Sequence, residues 1–158
     1  MSTGLSNPIG RIGCWLSLWA LLAGQAWASP HRLDDSQSQV VPPNVQMQWR
    51  SIAPGQGDTG MEAWVRVNAR IATGAWVGRS VRVYMVLPRD QSATLEAEWT
   101  TQGRLLAGRL VTGERALVWA GVMASETLED QLLVRLRATS DWGASSRRLH
   151  FHFELDTD

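Results

Sequence analysis

A chain of 158 residues in which 15 acidic and 15 basic side chains cancel has no net charge to draw it to nucleic acid or to an anionic membrane. All of its basic residues apart from the histidines are arginine, and the single cysteine, Cys14, excludes an internal disulfide framework. Cohesion has to come from packing.

Residues 1–28 have the three-part layout of a secretory signal peptide: a short polar start with Arg11, an apolar run from Cys14 to Ala23, and the A-x-A pattern Ala26-Trp27-Ala28. The run is shorter than the ~18–20 residues a spanning helix requires, so no transmembrane segment is expected after cleavage. Cys14 begins the run instead of following it, which argues against lipid attachment. The mature chain, about 130 residues, suits one domain. It is expected in the periplasm, on the cell surface or secreted.

Residues 29–43 are polar, lack either periodicity and end at Pro42-Pro43, the pattern of a flexible leader. The domain proper is expected over 44–158. Its first strand is Val45–Trp49, followed by a Gly- and Pro-rich loop over 50–60. From Met61 to Ile71 the period is two, with Met61, Ala63, Val65, Val67, Ala69 and Ile71 in one row and Glu62, Trp64, Arg66, Asn68 and Arg70 in the other. Ser80–Leu87 repeats it, setting Val81, Val83 and Met85 against Arg82 and Tyr84. Leu95, Ala97 and Trp99 oppose Glu96 and Glu98.

Gln102-Gly103 and Thr112-Gly113-Glu114 predict hairpin turns around strands at 105–112 and 116–120. In both strands apolar residues fall on both sides, at Leu105-Leu106 and Leu117-Val118-Trp119. Burial on both faces or a contact with a second copy would account for that. Val122–Glu129 is the one stretch with room for a helical turn. Asp130–Ala138 alternates again, and Arg147–Asp156 reads as one final strand burying Leu149, Phe151, Phe153 and Leu155. About eight short strands with turn-rich links predict an all-β fold, a single antiparallel β-sandwich of immunoglobulin-like type.

Three groups of residues are candidates for function. Trp64, Arg66, Arg70, Arg82 and Tyr84 fall on outward rows and are expected to form one partner-binding face, since Trp, Tyr and Arg are the residues enriched at binding hot spots. Trp76 and Trp142 lie in loops beside glycine, where indoles can stack on sugar rings. His150 and His152, roughly 7 Å apart on one strand face, could begin a metal site that would still need two more ligands. Catalysis has no comparable support: there is no G-x-S-x-G elbow, no P-loop and no dinucleotide fingerprint, so no catalytic residue and no cofactor is expected.

The expectation is a non-catalytic exported module that binds another envelope or surface protein, or a second copy of itself, as sandwich domains of pili and similar assemblies do. A carbohydrate-binding module and a periplasmic metal-binding protein are the alternatives.

Overall fold

The structure, a computed structural model, describes residues 30–49, 60–89, 94–138 and 147–157. Through them run β1 (His31–Arg32), β2 (Gln39–Val41), β3 (Asn44–Val45), β4 (Gln48–Trp49), β5 (Met61–Ala72), β6 (Ser80–Val86), β7 (Leu95–Thr101), β8 (Gly108–Val111), β9 (Arg115–Val122), β10 (Thr127–Ala138), β11 (Arg147–Arg148) and β12 (His152–Thr157). A 3-10 turn at Gly74–Trp76 is the only helical element among the described residues, and none of their helices is long and apolar enough to cross a membrane.

Two antiparallel sheets carry the fold, as an all-β sandwich requires. The first has the order β1-β12-β6-β9; the second has the order β2-β5-β10-β7-β8, with β4 also paired to β5. The pairings are nested. In chain order, β1 pairs with β12, β5 with β10, β6 with β9, and β7 with β8. The chain is thus one long fold-back whose closed end is β7–β8. Rolling it up sets β12 beside β6 and β10 beside β7. This nesting is jelly-roll connectivity, and it corrects the immunoglobulin-like expectation. An immunoglobulin fold places its last two strands side by side in one sheet, whereas here β10 and β12, the last strands to join the two large sheets, lie in opposite ones and β11 pairs apart with β3.

The period-two rows explain why these strands form. Met61, Ala63, Val65, Val67, Ala69 and Ile71 are all buried in β5, opposite Ala138, Leu136, Val134, Leu132 and Leu128 of β10 where those face inward. Val81, Val83 and Met85 of β6 and Phe153 and Leu155 of β12 supply the other side of the core. Trp99 is the largest side chain in it, and its indole N–H donates to the Leu106 carbonyl at 2.9 Å. Gly108 is its register partner, and a Cβ there would lie 2.9 Å from the indole, so glycine is what lets β8 close over the ring.

Several expected elements are built differently. The described part of the segment read as a leader, from Pro30 on, contributes β1 to the first sheet and β2 to the second. Its polar side chains gave no sign of this because the bonds are made by backbone: Leu33 N–H donates to the Phe153 carbonyl at 2.9 Å, and Ala72 N–H to that of Asp34 at 2.9 Å. The final segment is two strands, not one, since β11 pairs with β3 and β12 with β6. Residues 122–129 hold no helical turn; Val122 ends β9, and a bend at 125–126 leads into β10.

The turn at Gly113 (φ +87°) does not close a hairpin but carries the chain from the second sheet to the first. A bulge accounts for Leu117-Val118-Trp119: Leu117 opposes Tyr84, Trp119 opposes Val83, and Val118 is the extra residue. Val118 is fully buried while its carbonyl accepts the Leu106 N–H at 2.7 Å.

Gly108→Ala should lower the free energy of unfolding by about 1–3 kcal/mol, the cost typical of overpacking, because the indole beside it has no room to move. Urea unfolding measures this; an unchanged midpoint would mean that β8 does not depend on close approach to Trp99.

Candidate interaction surfaces

The outward row of β5 crosses the neighbouring strands in register. Glu62 is opposite Arg137, which is opposite Glu96; Trp64 is opposite Arg135, which is opposite Glu98. Arginine and glutamate therefore alternate across this end of the second sheet. Arg135 Nη2 lies 2.8 Å from Glu62 Oε2, and the Trp64 indole N–H donates to Glu62 Oε1 at 3.0 Å. The same guanidinium stands 5.7 Å from the Trp64 ring centre. The hydrogen bond that Arg135 donates to the Glu62 carboxylate is the main reason that the Arg135 pKa rises above its ordinary value. Glu62 thus holds both the indole edge and the guanidinium, and Trp64 is fixed while still 54% exposed.

The next row has another character. Arg66 lies between Val41 of β2 and Leu133 of β10, with no carboxylate opposite it on either side. Among the described residues its side chain has no hydrogen bond or ion pair. Val41 and Leu133 are 46% and 44% exposed. Trp64, Val41 and Leu133 thus surround one unneutralised cation. Further along β5, Arg70 is paired with Glu129 at 3.1 Å, beside an open groove of about 510 Å³ lined by amides that include Gln39, Asn68 and Gln131.

Arg82 and Tyr84 are not on this face. They belong to β6, so the five residues expected to form one surface are divided between the two sheets. On the first sheet Arg115 lies over the Tyr84 ring, 4.2 Å from its centre, and forks onto Asp156 with bonds of 3.2 and 2.8 Å. Its guanidinium is also 3.9 Å from Glu154, whose other oxygen is 3.1 Å from His152 Nε2. The bond to Asp156 chiefly raises the Arg115 pKa. These groups satisfy one another, which suits stabilising the sheet more than recognising a partner. No residue pattern hints at the Arg115–Asp156 pair, which reaches diagonally from β9 to β12 across β6 and needs the strand order to be seen.

His152 is in β12, whereas His150 is exposed in the break before it. No group of three or more His, Cys, Asp or Glu that could hold a metal occurs among the described residues. Trp76 packs against the core, in tilted contact with His31 at 4.8 Å between ring centres and 5.6 Å from the Arg79 guanidinium. Trp142 lies outside the described residues.

Comparison of the chain with protein-family models, with curated proteins and with solved structures found no match.

Arg115→Ala removes the cover of Tyr84 and leaves Asp156 and Glu154 without their shared cation. With the Arg115 side chain 43% exposed and its charge so partly screened, the expected loss is about 1 kcal/mol. A denaturant midpoint equal to that of the unmodified protein would show that the network contributes nothing to stability.

Proposed function

We propose that the chain is an exported, non-catalytic β-sandwich protein that binds another protein of the bacterial envelope or surface through the outer face of its second sheet. The observation that carries this reading is Arg66, a cation without a partner among the described residues, set between the exposed side chains of Val41 and Leu133 and beside Trp64. Tryptophan and arginine are the residues over-represented where alanine substitution costs binding most. Glu62 pre-positions the indole, which reduces the ordering cost on association. The partner that fits offers an apolar surface with a carboxylate placed to meet Arg66.

The carbohydrate alternative has less behind it, since Trp76 is packed against the core instead of standing free. The metal alternative lacks further ligands around His152 among the described residues.

Affinity capture from native envelope extract, run with the unmodified protein, Trp64→Ala/Leu133→Ala and Arg66→Glu, tests the proposal. One partner should be retained by the first and weakened about tenfold or more by each variant, with thermal stability unchanged. If all three retain the same partner equally, the interface is elsewhere; if none retains a protein, the reading fails.

A further inference from the structure

A second feature, independent of the outer faces, lies at the edge of the sandwich. A cleft of about 290 Å³ opens between the connection from β1 to β2 and the connection from β11 to β12. It reaches between the sheets, because Val67 of the second sheet and Phe153 of the first both line it, together with Val40, Leu149 and Phe151. Its floor is therefore apolar, with the half-buried Val40 and Phe151 beside the almost fully buried Val67 and Phe153. Its size is at the small end for ligand sites, enough for one large side chain and a compact head group.

The two sides of the mouth differ in charge. One carries Asp35 with Ser36 and Ser38; the other carries Arg148 and His150. Ser38 is engaged, since its hydroxyl donates to the Arg70 carbonyl and accepts the Arg70 N–H. The side chains of Asp35, Arg148 and His150 have no hydrogen bond or ion pair among the described residues. An apolar slot with an anion on one lip and cationic or donor groups on the other selects for a ligand that is apolar at one end and carries both charges at the other. A fatty or aromatic carboxylate would meet Asp35 unfavourably, and an apolar amine would meet Arg148 in the same way.

We propose that this cleft binds an apolar α-amino acid in its zwitterionic form. The side chain lies against Val40 and Phe151, over the buried Val67 and Phe153, the ammonium faces Asp35, and the carboxylate faces Arg148 and His150. Arginine is suited to the last role because its planar fork matches a carboxylate.

Isothermal titration of the full chain with L-phenylalanine, phenethylamine and 3-phenylpropionate is the test. L-phenylalanine should bind at one site, about tenfold or more tighter than either single-charge analogue, each of which lacks one of the two charge contacts. Arg148→Gln should weaken L-phenylalanine about tenfold without weakening phenethylamine, and Asp35→Asn should weaken it without weakening 3-phenylpropionate. Arg148 is exposed and Asp35 half-buried, and unchanged thermal melts will show that the fold persists. The proposal is overturned if neither L-phenylalanine nor L-leucine gives saturable binding up to roughly 10 mM, a ceiling beyond the −4.1 kcal/mol of a millimolar site. It is equally overturned if 3-phenylpropionate matches L-phenylalanine, which would make the cleft a site for apolar anions, or if neither charge substitution alters affinity.

Discussion

The antiparallel ladder between β5 and β10 is the constraint on which the remaining structure depends. Both strands are twelve residues long, and they pair without interruption from Ala72↔Thr127 to Met61↔Ala138. A register slip of one residue would turn the whole buried row of β5 to solvent, so the pairing is fixed by burial. Once it is fixed, β7 has only the far side of β10 to occupy, and β2 and β4 only the free side of β5. The same ladder sets out the outer face. Arg66 is placed opposite Leu133 by the register that places Val67 opposite Leu132 in the core. One act of pairing therefore determines both the packing and the candidate contact surface.

Much of this was legible in the sequence because it follows from alternation alone. The buried rows of β5, β6, β7 and β10 are the rows expected, and Trp99 is in the core. What alternation cannot convey is which sheet a strand joins. Trp64 and Tyr84 both fall on outward rows, yet β5 and β6 lie in opposite sheets, and so one expected surface became two. Very short strands were equally hidden. β1 and β2 have two and three residues, too few for a period, and they are held by backbone groups that every sequence possesses. The bulge at Val118 erased the period in β9 by adding a residue, and a sequence pattern then reads as apolar on both sides.

The arginines illustrate why residue type and role separate. Arg135, Arg70 and Arg115 each meet a carboxylate, and their charge is used within the molecule. Arg66, identical in chemistry and two residues from Trp64, has apolar neighbours across both adjacent strands. The difference comes from what the surrounding strands bring within reach, directly opposite for Arg70 and diagonally for Arg135 and Arg115, and it distinguishes a stabilising arginine from one open to a partner. In the same way His150 and His152 are close in sequence but unlike in setting, since only His152 is in β12, against Glu154.

The nested connectivity has a consequence for the order in which the chain can fold. β12 is last in sequence, yet it sits inside the first sheet between β1 and β6. Strands laid down early have no lasting neighbour on that side until residues 152–157 arrive, and joining His31 to Leu155 closes nearly the entire chain as a loop. Contacts of such long sequence separation make folding slow. A polypeptide built this way keeps the first sheet split into separate strands until residues 152–157 are free to pair, so its core closes in one late step.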